Sequence, residues 1–222
     1  MEIEAKFAVV DQEVAKELQN VETADAFRIA PGNISRVRDT YLDTRDRRLL
    51  AAGFSCRSRQ EGNVHLVTIK QLKKGQSAIQ EREEFEISLN RAVPPSEWPE
   101  GPARERLMSI TGEEPLQVLF ELHQRRLKRD MIKSGVAIAE WSVDEVIINT
   151  GKTTRSFSEL EIELTQGTRE DLAHISAYVQ SKWGLVPQRS SKFERVLPLV
   201  DAEFGAGSPA QTAARESASG RE

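Results

Sequence analysis

Three carboxylates stand on alternate residues, Glu159, Glu161 and Glu163, with Leu160, Ile162 and Leu164 beside them. The start of the chain repeats the pattern with one change of sign: Glu2, Glu4 and Lys6 alternate with Ile3, Ala5 and Phe7. Successive side chains of a strand point to opposite faces, so each charged set shares one face with apolar residues behind it. Carboxylates spaced this way repel one another unless a cation neutralises them. The five glutamates form an oxygen-only ligand set suited to a hard divalent ion, Mg²⁺ or Mn²⁺. Zinc is disfavoured, because Cys56 is the single cysteine and His65, His123 and His174 are scattered without ligand spacing.

Cations recur in the same alternation. Arg57 and Arg59 share a face with Ser55, and Lys70 shares one with Thr68; Arg82, Glu84 and Glu86 line up in front of Phe85 and Ile87. Between Leu116 and Met131 the phase stays open, since Arg126 and Lys128 fall on one face and Arg125 and Arg129 on the other. Glu140, Ser142 and Asp144 align on a further strand, and Lys192 follows in Arg189–Leu197, a mixed basic and apolar stretch. A solvated sheet also alternates, although its outer face usually mixes in Ser, Thr, Asn and Gln. If the charged faces instead turn into a closed antiparallel barrel, Lys6, Arg57, Arg59, Lys70, Arg82, Arg126 and Lys192 meet inside it. Buried cations without partners are costly, so such a lumen must hold a polyanion, and an anion with a metal satisfies both signs together. A phosphate chain fits, because Arg binds phosphate bidentately and Lys binds it as a point charge.

Helices and turns must position these strands. A short helix is expected over Asp11–Leu18, another near Arg45–Ala52 ending at Gly53, and a third over Ala103–Ile110. Thr168 is an N-cap for a helix through Trp183, where Leu172, Ile175, Val179 and Trp183 keep helical spacing and Gly184 ends it. Lys73-Lys74-Gly75 and Asn149-Thr150-Gly151 read as turns, and the prolines from Pro94 to Pro102 as a rigid connection within one domain.

The 222 residues suffice for one sizeable core, placed at 1–200. Residues 201–222, rich in Ala, Gly, Ser and Glu, are expected to be a disordered tail. With 31 basic and 35 acidic residues there is no general footprint for nucleic acid. No apolar run approaches the ~18 residues of a membrane span, and no basic-then-apolar leader opens the chain, so a cytoplasmic protein is expected.

In order along the chain, Glu2-Ile3-Glu4-Ala5-Lys6, Tyr41-Leu42-Asp43-Thr44, Arg57-Ser58-Arg59, Thr68-Ile69-Lys70, Arg82-x-Glu84-x-Glu86, Arg126, Asp144, Glu159-x-Glu161-x-Glu163 and Ser191-Lys192-x-x-Arg195 resemble the CYTH, or triphosphate tunnel metalloenzyme, superfamily. The resemblance spans about residues 1 to 200 and is closest to the bacterial inorganic triphosphatase branch. It implies an α+β fold, a closed eight-stranded antiparallel barrel with helices packed outside, and a divalent metal requirement. It further implies metal held by Glu2, Glu4, Glu159, Glu161 and Glu163. Lys6, Arg57, Arg59, Lys70, Arg82, Arg126 and Lys192 would grip phosphate, with Lys6, Arg57, Arg59 and Lys70 catalytic. Asp144 and Glu140 either serve a second metal or pair with Arg, and Glu84 and Glu86 either line the site or hold its cations.

The expected reaction is hydrolysis of inorganic triphosphate to pyrophosphate and phosphate. Thiamine triphosphatase or class IV adenylyl cyclase is the alternative enzyme, and a non-catalytic polyphosphate or nucleotide binding module is the alternative of another class. Aromatic residues make up 6% of the chain, which favours a substrate without a ring, although Trp98, Trp141 and Phe157 are candidates to stand near a tunnel mouth. The expected partner is a small triphosphate-bearing molecule, with neither nucleic acid nor membrane, and a homodimer is the assembly to test.

Overall fold

The computed structural model describes residues 2–72, 79–149 and 154–204. The turn expected at Lys73-Lys74-Gly75 lies outside these, as do residues 150–153 of the next turn and 205–222 of the expected tail.

Alternation of charged and apolar residues produces long antiparallel strands. In chain order the elements are β1 (Glu2–Val9), α1 (Gln12–Asn20), β2 (Thr23–Ala24), β3 (Phe27–Ile29), β4 (Asn33–Thr44) and α2 (Arg48–Ala51). Next come β5 (Phe54–Glu61), β6 (Val64–Gln71), β7 (Ile79–Arg82), β8 (Glu84–Leu89) and α3 (Pro102–Thr111). The chain finishes with β9 (Leu116–Lys133), β10 (Val136–Asn149), β11 (Thr154–Leu164), α4 (Arg169–Trp183), β12 (Val186–Pro187) and α5 (Lys192–Phe204).

The hydrogen-bonded path runs β12-β1-β11-β10-β9-β4-β5-β6-β8, nine strands rather than the eight expected. The extra one is two-residue β12, which shares an edge of β1 with β7. Closure comes from one interrupted strand: β8 pairs with β6, and past Glu83 its neighbour β7 pairs with β1. The sheet thus returns on itself as a barrel. Close approach of backbones fixes Gly32 before β4, where a Cβ would lie 1.9 Å from the Lys128 carbonyl oxygen.

Three apolar clusters hold the barrel. Outward residues of β1, β10 and β11, such as Phe7, Trp141 and Ile162, pack beneath α1 and α4. Helix α4 is bounded as its sequence dictates, with a capping box between Thr168 and Asp171 and Gly184 in the left-handed conformation (φ 64°). A second outer cluster, including Cys56, Ile69, Trp98 and Leu107, lies under α2 and α3. The third is different: Phe193, Val196, Leu197 and Val200 of α5 pack on Tyr41, Phe120, Leu122, Val146 and Ile148, residues in phase with the inward-facing charges. Four helices are therefore outside, while α5 covers one end of the lumen. It also takes in Asp201–Phe204, which composition assigns to the tail; Asp201 is ion-paired with Arg47 at 2.9 Å. Among the described residues no helix is long and apolar enough to cross a membrane.

Candidate active site

Register decides which charges meet. On β1 and β11, Glu4 lies opposite Glu163 and Lys6 opposite Glu161, while β10 sets Glu140 against Glu163 and Asp144 against Glu159. On β4 and β5, Asp39 faces Arg59 and Tyr41 faces Arg57; β6 brings Thr68 beside Arg57. β9 places Arg126 opposite Asp144, which resolves its phase: Arg126 and Lys128 face inward. Arg129 faces outward and donates to the carbonyls of Gln19, Ile29 and Ala30.

These side chains surround a cavity of about 290 Å³. All seven cations expected in the site line it, as do Glu2, Glu4, Glu161 and Glu163. Glu159 does not. It is completely buried behind Lys192 and Arg195, whose Nη1 donates to it at 2.7 Å.

Near the open end, where Lys128 and Glu140 pair at 2.8 Å with partial exposure, carboxylates outnumber cations. Lys70 pairs with Glu2 and lies 3.4 Å from Glu4 and 3.8 Å from Glu84. Burial, reinforced by Glu4 and Glu84, pushes the Glu2 carboxyl up to about 8. Burial together with Glu4, Glu140 and Glu161 pushes Glu163 up to about 7. Burial works against ionised Glu4 as well, but Lys6, at 2.8 Å, and Lys70 hold it below its ordinary value.

Towards α5 the charges are matched. Arg126 forks onto Asp144, with Nε at 2.7 Å, and reaches Glu161 at 2.6 Å. Lys192 contacts Asp144 at 2.8 Å, Glu161 at 2.9 Å and also Glu159. Burial penalises Glu161, yet Lys192, Arg126 and Lys6 hold it well below the ordinary carboxylate range. The floor is aromatic: Tyr41, Phe120 and Phe193 stack with centroids 4.8 to 5.8 Å apart.

Arg57 is placed differently from the other cations. It donates to the Thr68 hydroxyl at 3.1 Å, and Thr68 donates to Glu86 at 3.1 Å; among the described residues Arg57 has no ion pair. Arg59 is committed to Asp39 through two bonds of 2.7 and 2.8 Å, and Gln124 donates to the same carboxylate. Sequence reasoning missed Asp39 and Gln124. Asp39 sits between Val37 and Tyr41 on an inward face that reads as apolar, so only strand pairing reveals its partner. Arg82, also inside, donates to the Arg189 carbonyl at 3.5 Å. Asp43 has a structural task, accepting from the amides of Thr44, Leu49 and Leu50 at 2.7 to 3.0 Å. Trp98 and Trp141 are buried in the outer clusters, and Phe157 lies under the Arg195 guanidinium at 3.6 Å; none of the three lines the cavity.

Two carboxylate groups invite a cation. Asp144, Glu159 and Glu161 bring ligand atoms within 4.8 Å of one another, but the Lys192 ammonium already touches all three. Glu2, Glu4 and Glu163 instead face one another across the open half with too few cations, and their donor oxygens fit a hard divalent ion.

A closed antiparallel barrel with opposed carboxylates and cations in its lumen defines a charged tunnel protein. The CYTH domain profile matches residues 1–196, and the chain belongs to that family. No curated protein matches it. Among solved structures, HpAC1 from Hippeastrum, a proposed adenylyl cyclase described as having a dominant triphosphatase activity, superposes with a TM-score of 0.70 at 17% identity, covering 90% of this chain and 96% of its own. A proposed adenylate cyclase of Bacillus halodurans gives 0.64 at 20% identity over 88% and 96%. The PH1012 protein of Pyrococcus horikoshii gives 0.51 at 19% over 86% and 94%.

Proposed function

We propose that the chain hydrolyses inorganic triphosphate to pyrophosphate and phosphate with a divalent metal, Mg²⁺ or Mn²⁺. The observation that carries this reading is the barrel cavity whose lining brings together eight cations and a carboxylate-rich half. Glu2, Glu4, Glu161 and Glu163 would hold the metal; Glu159, already claimed by Lys192 and Arg195, leaves that set. When bound there, the ion neutralises phosphate oxygens and polarises the attacking water.

The protein's own groups do the rest. Lys6 and Lys70 are paired with Glu2 and Glu4 and would turn to phosphate oxygens where those carboxylates hold a cation. Arg57, without an ion pair among the described residues, points its guanidinium into the lumen ready for a bidentate grip. Arg59, fixed by Asp39, and Arg126 and Lys192, fixed by carboxylates, present positive charge whose position does not relax as the phosphoryl group transfers. Arg82 adds to the same field from the seam strand β7.

The ring-free substrate is favoured because the aromatic residues lining the cavity, Tyr41 and Phe193, are engaged in the closed floor. A phosphate-release assay over tripolyphosphate, thiamine triphosphate and ATP, with Mg²⁺, Mn²⁺ or EDTA, tests the reading. Tripolyphosphate should be cleaved fastest and EDTA should stop it. Faster cleavage of thiamine triphosphate or cyclisation of ATP replaces the substrate, and thermal stabilisation by tripolyphosphate without any release makes the chain a binding module.

A further inference from the structure

Arg57 and Arg59 stand two residues apart on the inner face of β5, yet the barrel holds them by different means. Arg59 is gripped directly: Asp39 accepts from its Nε at 2.7 Å and from its Nη2 at 2.8 Å, so a buried carboxylate balances its charge. Among the described residues no carboxylate pairs with Arg57, and its buried Nε finds no hydrogen-bond partner. What holds its guanidinium is the Thr68 hydroxyl, 3.1 Å from Nη2.

Strand register builds that contact. Arg57 on β5 lies opposite Thr68 on β6, and Thr68 lies opposite Glu86 on β8, so the three side chains form one row across the inner face. The Thr68 hydroxyl is also 3.1 Å from Glu86 Oε1. Chemistry fixes the direction of both bonds. A guanidinium only donates and a carboxylate only accepts, so the single hydroxyl proton goes to Glu86 and a lone pair is left facing Arg57. The branched Cβ of Thr68 restricts its rotamers, which gives that lone pair a set direction. A carboxylate thus orients the guanidinium through a neutral group, without standing beside it and cancelling its charge.

We propose that Thr68 is the positioning residue of Arg57: its hydroxyl, turned by Glu86, aims a guanidinium whose charge is left for the phosphate guest. The inference rests on the proposed triphosphate hydrolysis and adds how one cation is kept available where its neighbour Arg59 is not. Thr68 borders the cavity but is 1% exposed. A phosphate guest offers acceptors and needs a donor, and the one hydroxyl proton is already given to Glu86, so Thr68 acts through Arg57. With the hydroxyl removed, the positive charge still attracts the guest, whereas its directed bonds to the transferring phosphoryl group are lost. The defect therefore falls on kcat more than on KM.

The experiment compares Thr68→Val, which keeps the branched shape without the hydroxyl, and Thr68→Ser, which keeps the hydroxyl, alone and combined with Arg57→Ala. Nitrogen-15 spectra of arginine-labelled, metal-free protein come first, with the Arg57 Nε–H signal assigned by its loss in Arg57→Ala. That signal should shift in Thr68→Val and stay in place in Thr68→Ser. Tripolyphosphate hydrolysis by Thr68→Val should then fall about 10- to 100-fold in kcat with KM within ~3-fold of the parent. Thr68→Ser should recover the parent rate, and Thr68→Val should cost nothing further in the Arg57→Ala background. Both Thr68 variants should melt with the parent, since Glu86 is exposed and keeps water as a partner. An Arg57 signal unmoved in Thr68→Val overturns the proposal whether or not the protein cleaves tripolyphosphate. An added loss in the Arg57→Ala background overturns it as well, by giving the hydroxyl a role of its own, and so does an equal loss in Thr68→Ser. If the spectra behave as expected while the parent cleaves no tripolyphosphate, the proposed function falls and the positioning of Arg57 stands.

Discussion

The two halves of the lumen hold the same residue types in opposite states of balance. Towards α5, Asp144 and Glu159 are matched by Arg126, Lys192 and Arg195, and Glu161, which lines the cavity 3.7 Å from Lys6, stands at the boundary between the halves. Towards the mouth, Glu2, Glu4, Glu84, Glu140 and Glu163 outnumber Lys6, Lys70, Lys128 and Arg82, the last set opposite Glu2 by the strand register. A matched, buried cluster behaves as structure, because removing one member strands the others in low dielectric. An unmatched cluster stores unfavourable charge that a bound ion can relieve. The difference assigns the closed half to scaffolding and the open half to ligand exchange.

Glu159→Gln should expose that contrast most strongly. It removes the carboxylate partner of Arg195 and one of the three around Lys192, at a cost of about 1–3 kcal/mol in a denaturant melt, while Mg²⁺ affinity of the folded protein stays within ~2-fold. A stable variant with lost metal affinity would return Glu159 to the metal site. Arg57→Ala is the reverse case. Turnover should fall about 10²–10³-fold, with the melting temperature held, because no ion pair among the described residues is broken. Unchanged turnover in a folded Arg57→Ala protein would remove the phosphate-gripping role.

Glu163→Gln should weaken Mg²⁺ binding about 10-fold, the scale seen when groups supporting a metal are lost, and should raise the stability of the metal-free protein. Calorimetric titration and melts in EDTA read the two effects separately. The pH dependence is smaller and has a definite sign. Glu2 at about 8 and Glu163 at about 7 sit above the 4.5 of an ordinary glutamate, so between pH 4.5 and 8 the folded metal-free protein binds more protons than the unfolded chain. Its stability therefore falls as pH rises through that window, and saturating Mg²⁺ should flatten the decline. Asp39 acts oppositely. Burial raises its carboxyl, but Arg59 and Arg57 bring it to about 2 from 3.8, so its contribution is present above pH 4 and is lost as pH falls towards 2.

Much of this was legible in the residues. The alternation of Glu2–Lys6 and Glu159–Glu163 identifies two strands and their charged face, and pairing them antiparallel is what a barrel requires. Alternation could not rank the three C-terminal glutamates, because exposure along a strand depends on what covers its end. Here α5 does so, and its own signal is blurred by Pro198, although Phe193, Val196, Leu197 and Val200 keep helical spacing. The phase of Arg126 was hidden for a related reason: Arg125 and Arg129 find Glu145 and three backbone carbonyls on the outer face, partners that lie far away in sequence.

The interrupted strand has one more consequence, for how the molecule opens. The proposed metal ligands Glu2, Glu4, Glu161 and Glu163 all hang on the β1–β11 ladder, whereas Arg57, Arg59 and Lys70 hang on β5 and β6. Between them runs the join at β7, held to β1 by four register pairs. Amide hydrogens of β7 should exchange with solvent faster than those of β10, since short, terminal pairings open by local fluctuation. Such breathing parts the cationic wall from the carboxylate wall without pulling either apart, so the lumen can widen for a guest while both halves of its chemistry stay assembled.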